Sequence, residues 1–359
     1  MDTFWQKLPK PFVVMAPMAD VTDAAFRALV AKCGKPDVFW TEFVSADGLY
    51  HTREVLKSDF NTNSRSLTST FRDEDNPLMR DLQFSADQHP IVAQIFSDKP
   101  EMIAYATKLV AELGFDGVDL NMGCPDKAIE KQGSGAAMIK SPEVARAVIR
   151  AAKSAAGSAG RAFPVSVKTR IGYNKESLDE WLPVLLEEAP AAITLHLRTR
   201  KQMSLVPADW ELMKKAVAIR NRLNPDVLLI GNGDVQDLAD AKLKIKESGC
   251  DGAMIGRGMF GNPWVFEDLC KPGMHNLQNG CANQVCTTEH GLSEKLIALI
   301  ELAHNFEKLS PPKNFAILKK HIKAFVTGFS GAADLRALLM EASSATELEA
   351  IIAANKVQP

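Results

Sequence analysis

The chain has 359 residues, of which 46% are apolar and 24% charged, and its formal net charge at pH 7 is −2. This composition supports a large core, and the length suits a barrel of about 250 residues followed by a smaller domain. A net charge near zero excludes a uniformly basic nucleic-acid-binding protein, so contacts with RNA would need local positive charge. The six scattered cysteines, the N-terminus without an apolar signal segment and the lack of about 18 continuous apolar residues together predict a soluble cytoplasmic protein.

Eight apolar segments read as strands, and each is followed by a helical or helix-length piece. The predicted strands are 12–18, 38–45, 91–97, 117–122, 165–170, 192–198, 227–234 and 252–258. Strands that alternate with helices pair in parallel, and their apolar runs indicate burial on both faces. The predicted fold class is therefore α/β, a (β/α)8 TIM barrel, with a doubly wound open sheet as the alternative.

Composition divides the chain into three regions. Residues 1–269 form the predicted barrel, with a polar, aperiodic surface insertion at about 58–88. Residues 270–291 are turn-rich and predict a linker, and 292–359 carry apolar residues at helical spacing, which predicts a bundle of three or four helices. No metal site is predicted, because the linker's cysteines and histidines match no standard zinc spacing: Cys270, His275, Cys281, Cys286 and His290.

Candidate chemistry lies where predicted strands end, as it does in barrels of this kind. Cys124 follows the strand 117–122 by two residues and precedes a predicted loop that holds Lys127 and Lys131. A lone cysteine at such a place is about as often a small buried hydrophobe. The turns GNGD and GRG follow the last two strands, where barrels commonly bind phosphate through backbone N–H groups. With Lys168 and His196 at two further strand ends, these turns predict a pocket for an anionic cofactor.

These residues lie in motifs that resemble the tRNA-dihydrouridine synthase family, whose members use FMN to reduce uridine in tRNA. The motifs are APMADVTDAAFR, TEFVSADGL, GVDLNMGCP with KQGSGAAM, SVKTRIG, HLRTR with PADW, IGNGD, DGAMIGRGMFGNPW and LKKHIKAFVTGFSGAADLR. Their order is the family's order, and they span most of the chain outside 58–88 and 271–291. The resemblance implies a flavin-dependent reductase with a C-terminal helical tRNA-binding domain.

The resemblance also implies roles for individual residues. Cys124 would be the general acid, giving a proton to one carbon of the uracil 5,6 double bond while reduced FMN gives hydride to the other. NADPH would re-reduce the flavin. The implied FMN-binding residues lie beside the ring, at its pyrimidine edge and at the phosphate: Pro17, Met18, Ala19 and Gln94; Lys168; and His196, Asn232, Gly233, Asp234, Gly256 and Arg257.

We expect the contacts to the substrate to come from other residues at the strand ends and from the helical domain. Asn121 would orient the uracil edge. The remaining candidates for RNA contact are Arg170, Arg198, Arg200 and Lys201 on the catalytic face, and a basic stripe of Lys319, Lys320 and Lys323 with His321. Such a stripe is more usually a solvated helix face.

Two departures from the family pattern occur in one loop. Leu197 stands where glycine is expected, and the tyrosine expected after Met203 is missing. The contacts of that loop and the choice of uridine therefore stay open. Two alternatives also stay open: an FMN barrel oxidoreductase acting on a small pyrimidine or other metabolite, and a catalytically silent RNA-binding protein. No protein partner is implied, and a monomer is expected.

Overall fold

The computed structural model describes residues 2–52, 77–267 and 290–355. Eight parallel strands form one sheet in the order β1-β8-β7-β6-β5-β4-β3-β2. The strands are β1 (Phe12–Met15), β2 (Phe39–Ser45), β3 (Ile91–Phe96), β4 (Gly117–Met122), β5 (Val165–Arg170), β6 (Ala192–His196), β7 (Leu228–Asn232) and β8 (Gly252–Ile255). The backbone closes the sheet between β1 and β2, where Met15 N donates to Val38 O at 3.1 Å and Asp37 N to Val13 O at 3.0 Å. The predicted (β/α)8 barrel is confirmed.

Helices separate the strands and continue beyond the barrel. They include α1 (Phe4–Lys7), α2 (Ala24–Cys33), α3 (Pro77–Arg80), α4 (Pro100–Glu112), α5 (Lys127–Lys131), α6 (Pro142–Gly157), α7 (Leu178–Glu187), α8 (Glu211–Leu223), α9 (Leu238–Ser248), α10 (Leu292–Glu307), α11 (Lys319–Phe325), α12 (Ala332–Glu341) and α13 (Ala345–Ala354), and residues 46–52 are also helical. Helices α10–α13 form the predicted C-terminal bundle. In the part of the chain with described structure, no helix is long and apolar enough to cross a membrane.

Every predicted strand is present, and several end earlier than the apolar pattern suggested. The strand predicted at 12–18 ends at Met15, ahead of Pro17, which has no N–H for a ladder. The strand predicted at 227–234 ends at Asn232, because Gly233 and Asp234 have φ values of 128° and 49° that no strand contains. The stretch after β4, expected to be a loop, contains α5.

The register of the parallel strands places polar side chains from neighbouring strands side by side. Asn121 of β4 pairs with Lys168 of β5, Arg170 pairs with His196 of β6, and His196 pairs with Asn232 of β7. Alternate residues of a strand share one face, so these side chains lie together at the carboxyl ends of β4–β7. This is the end at which barrel enzymes bind their ligands.

Part of the predicted surface insertion is packed on the barrel. Residues 77–88 are described, and in them Gln88 is 1% exposed and its Oε1 accepts from Nε of the fully buried Arg27 at 3.1 Å. Residues 58–76 lie outside the described structure, as do Cys270, His275, Cys281 and Cys286 of the predicted linker. His290 is described; it stacks on Trp264 and lies 3.3 Å from Glu267.

The helical bundle docks on the barrel through a buried ion cluster. The Lys313 side chain is 4% exposed, and its Nζ lies 2.7 Å from Glu42 of β2 and 3.7 Å from both Asp23 and Asp81. The second carboxylate oxygen of Glu42 accepts from the backbone N–H of Asp20, in the loop after β1. One lysine of the helical region is thereby joined to the loop that carries the expected flavin-ring residues.

Candidate active site

A cleft of about 290 Å³ opens at the carboxyl ends of the strands. Its lining residues are Ala16, Pro17, Met18, Phe43, Gln94, Asn121, Gly123, Cys124, Pro125, Lys168, Arg170, His196, Arg198, Ser204, Asn232, Gly233, Asp234, Val235, Gly256 and Arg257. Most of the residues expected to form the site are therefore brought together. Among the described residues, the lining combines cations and amides with one thiol, that of Cys124.

The Cys124 thiol is held at the rim by a tight turn at the end of β4. Asn121 Oδ1 accepts from the backbone N–H groups of Gly123 at 3.1 Å and Cys124 at 3.0 Å. A Cβ at Gly123 would lie 3.2 Å from the Thr169 backbone, so a larger residue there would crowd the neighbouring strand. Burial raises the pKa of the Cys124 thiol. This effect outweighs the lowering of the pKa by the backbone hydrogen bond at Asp126 and by the charges of Arg170 and Lys168. The sulfur is therefore protonated at neutral pH and can donate a proton.

Lys168 supplies a cation at the base of the cleft. Its Nζ donates to Asn232 Oδ1 at 3.0 Å, and the Asn232 amide donates to Met254 O at 2.9 Å. Burial, together with the positive charge of Arg170, lowers the pKa of Lys168 to about 8. The ammonium is thus only just maintained at physiological pH, and a negative ligand nearby would favour its charged form.

Asp119 lies behind Lys168 and is fully buried on β4. It accepts from Gln94 Nε2 at 2.7 Å and from Ser166 Oγ at 2.6 Å, and burial raises its pKa to about 6. Because the Gln94 amide nitrogen is bound to this carboxylate, the amide orientation at the cleft wall is fixed.

His196 is a neutral side chain in the cleft. Arg198 Nη1 lies 3.2 Å from His196 Nε2, and a guanidinium can only donate, so Nε2 accepts and Nδ1 carries the proton. Burial, with the nearby cations Arg170 and Lys168, holds the pKa of His196 well below its ordinary value. The ring is therefore a hydrogen-bond donor without charge.

In the turn after β7, the carboxylate is bound by arginines and the glycine lines the cleft. The Asp234 carboxylate binds Arg198 and, at 2.5 Å, Arg257. Gly233 has a φ of 128°, and a Cβ at this position would lie 2.7 Å from the Ala208 Cβ. Glycine is therefore required at a point where the backbone lines the cleft.

Arg170 connects two loops at the rim. Its Nε donates to Gly123 O at 2.7 Å, and its Nη1 donates to Thr199 O at 3.2 Å and to Met203 O at 3.1 Å. The guanidinium thus ties the turn that carries Cys124 to the loop after β6. Burial lowers the pKa of Arg170 to about 10.

Six of the expected site residues do not line the cleft: Ala19, Arg200, Lys201, Lys319, Lys320 and Lys323. Ala19 lies one residue beyond the lining. Arg200 forms an ion pair with Glu130 of α5. Lys201 is exposed in the same loop.

The lysines of the expected basic stripe lie on α11. Lys323 is exposed, Lys320 lies 3.1 Å from Asp20, and Lys319 donates to Met340 O. The inclusion of His321 in this stripe was wrong. Its side chain is 2% exposed, packs against Phe26 at 4.8 Å, and has a pKa lowered to about 4 by burial, so it carries no charge at neutral pH.

The contributors to the site that were not anticipated from the sequence include Phe43, Asp119 and Ser204. Only Asp119 had a signal, as a charged residue inside the apolar strand GVDLNM. Arg198 was expected to contact RNA, whereas its side chain is 3% exposed and engaged with Asp234, His196 and the Val206 carbonyl.

The fold and this cleft define an α/β-barrel enzyme with a protonated cysteine facing a cationic wall. Over residues 14–358 the chain matches the family described as Dihydrouridine synthase (Dus). It is 37% identical over 352 residues to a "Probable tRNA-dihydrouridine synthase" of Staphylococcus aureus (strain Mu50 / ATCC 700699), a match covering 98% of this chain and 95% of the relative. It is also 37% identical over 355 residues to "Probable tRNA-dihydrouridine synthase 2" of Bacillus subtilis (strain 168), covering 98% and 96%.

The chain therefore belongs to the dihydrouridine synthase family, a family of oxidoreductases. Among solved structures, a 2-naphthoyl-CoA reductase complex is similar with a TM-score of 0.51 and 8% identity. That match covers 72% of this chain and 49% of the other, and it supports the barrel fold alone.

Proposed function

We propose that this protein reduces a uridine of tRNA to 5,6-dihydrouridine, with FMN as the bound cofactor and NADPH as the electron donor. The observation that carries the proposal is the one thiol among the described lining residues, Cys124, which burial keeps protonated in the cleft that Lys168 and the glycine turn at Gly233 also line. Family membership and the names of the two relatives support tRNA as the substrate.

The cleft has the donor set that FMN needs. Pro17, Met18 and Gln94 would lie along the ring, and Lys168 would face its pyrimidine edge; Ala19 lies one residue beyond the lining. His196 with its Nδ1 proton, the Arg257 guanidinium and the backbone from Asn232 to Asp234 and at Gly256 would hold the phosphate. The Asp234 carboxylate does not oppose an anion there, because Arg198 and Arg257 neutralise it. Reduced FMN would supply hydride to one carbon of the uracil double bond.

Cys124 would then give its Sγ proton to the other carbon of that double bond. Burial keeps the proton on the sulfur, and the turn built on Asn121 fixes where the sulfur stands. The oxygen of the Asn121 amide is occupied by two N–H groups, so its nitrogen is the group free to donate to a uracil carbonyl.

RNA contacts would come from cations around the cleft and on the helical bundle, of which Lys201, Lys320 and Lys323 are exposed. Arg200 and Lys201 lie on the loop after β6, and Lys319, Lys320 and Lys323 lie on α11. A net charge of −2 means that this binding depends on these local groups. Extrusion of the uridine from its stack costs a few kcal/mol, which such contacts must offset.

The proposal is tested with Cys124→Ala and tRNA isolated from cells that lack this gene. The variant should keep its flavin absorbance and its affinity for tRNA while kcat for dihydrouridine, measured by mass spectrometry, falls by about 10²–10⁴-fold. Cys33→Ala is the matched control, since Cys33 is a half-buried thiol on α2 outside the cleft. Unchanged turnover in Cys124→Ala contradicts the proton-donor role. Reduction of free uracil, with none in tRNA, favours a small-metabolite oxidoreductase.

A further inference from the structure

The loop after β6 carries an apolar surface at the mouth of the cleft. Leu205 is 84% exposed, which is more than any other large apolar side chain in the described ranges, and Met203 and Val206 are 39% and 38% exposed. Ser204, between them, lines the cleft. An exposed leucine is common on protein surfaces, but this one lies within one residue of the cleft wall.

The exposure of Leu205 is fixed by the loop that carries it. Two buried guanidinium groups bind the carbonyls on either side, with Arg170 Nη1 3.1 Å from Met203 O and Arg198 Nε 2.5 Å from Val206 O. Within the loop, the Leu205 N–H donates to Gln202 O at 2.9 Å. The backbone that carries the Leu205 side chain is therefore held in place. Exposure of this apolar side chain to water does not stabilise the isolated protein.

The loop that carries the Leu205 side chain bears an exposed cation and is joined to a helix that bears two more. Lys201 is exposed in the same loop, and the Arg200–Glu130 ion pair joins this loop to α5, where Lys127 and Lys131 are exposed. An apolar tip on a loop that carries Lys201 and contacts α5, beside a cleft, fits a polyanion with flat apolar faces. A nucleic acid has both properties, since its phosphates bind cations and its base faces pack on apolar side chains.

We propose that Leu205, flanked by Met203 and Val206, packs against the face of a tRNA base that adjoins the uridine entering the cleft. This inference rests on the function proposed above. When a base leaves its stack, its neighbour loses a stacking partner, and apolar side chains commonly fill such gaps. Leu205 is positioned to take that place because it is held at the mouth through which the uridine enters.

The test compares Leu205→Ser with Leu205→Phe, and uses Leu223→Ser as the matched control. Leu223 is 47% exposed and ends α8, whose carboxyl end faces away from the cleft in a barrel of this type. The probe is unmodified tRNA from cells lacking the gene. Loss of a base contact should lower kcat/KM by roughly 10- to 100-fold in Leu205→Ser, and Leu205→Phe should retain it. The Leu223→Ser control should have the kcat/KM of the wild type, and all three variants should have its melting temperature.

Salt dependence distinguishes a base contact from a phosphate contact. Leu205→Ser should weaken tRNA binding without changing the slope of log affinity against log salt concentration, whereas Lys201→Ala should reduce the slope by about one. The inference alone fails if the wild type reduces uridine in tRNA and Leu205→Ser does so equally well. It also fails if sedimentation shows that Leu205 mediates self-association. If the wild type neither binds tRNA nor reduces its uridines, the proposed function fails and the inference with it.

Discussion

Replacement of Lys313 by methionine tests how the helical bundle is held on the barrel. Methionine keeps the apolar stem of the side chain and removes the charge that faces Glu42, Asp23 and Asp81. At 2.7 Å, and with an effective dielectric constant of about 20, the gross attraction to Glu42 alone is about 6 kcal/mol. Desolvation offsets much of it, so we expect the free energy of unfolding to fall by about 3–5 kcal/mol, the usual loss when a buried pair is broken.

The loss should depend on pH. Burial raises the pKa of both Asp23 and Glu42, and Lys313 is the strongest influence opposing this rise. Without Lys313 the pKa values of Asp23 and Glu42 rise further. The folded variant then binds protons at pH values where the unfolded chain has lost them. A raised carboxyl pKa stabilises the fold at low pH and ceases to do so as pH rises. The difference between wild type and Lys313→Met should therefore be smaller at pH 5 than at pH 8.

Thermal unfolding at several pH values provides the measurement. For a chain of 359 residues, a loss of this size should lower Tm by about 4–7 °C at pH 8. Lys308→Met, which removes an exposed lysine from the same region, should stay within about 0.5 kcal/mol of wild type. Adding Glu42→Gln to Lys313→Met should recover part of the loss. An unchanged Tm, or a loss that is equal at pH 5 and pH 8, refutes the account of this ion cluster.

Two further predictions concern a buried ring and a glycine turn. His321→Phe should be neutral or stabilising at pH 7, because the buried Nδ1 of His321 has no hydrogen-bond partner among the described residues. Since the pKa of His321 is lowered to about 4, wild type loses stability as pH falls from about 6.5, and the advantage of the variant in denaturant titrations should grow over that range. Gly233→Ala should lower the amount of flavin bound per chain. It should also lower the free energy of unfolding by about 1–3 kcal/mol, because residue 233 has a positive φ and the added Cβ would contact Ala208. Gly157→Ala should leave flavin content and stability unchanged, because a Cβ at Gly157 would meet no described atom within 4 Å. Equal effects in both glycine variants would contradict the steric argument.

Local pattern was sufficient for the barrel. The predicted strands 117–122 and 165–170 coincide with β4 and β5, because apolar runs between turn residues specify buried parallel strands without reference to distant contacts. The glycine turns after β7 and β8 and the position of Cys124 could be located in the same way, since all three follow strand ends. Helix α5 was missed because a five-residue helix capped by Asp126 has too little periodicity to detect.

The sequence by itself determined the strand count, the helical C-terminal region and the residues that gather where strands end. Only the tertiary structure decided which charges face solvent. Arg198 and His321 read as surface groups in the sequence and are buried, whereas Leu205 reads as apolar and is exposed. The reason is that periodicity is a property of neighbouring residues, while the partner of a charge can lie anywhere in the chain. Lys313 and Glu42 are 271 positions apart, and no local pattern links them.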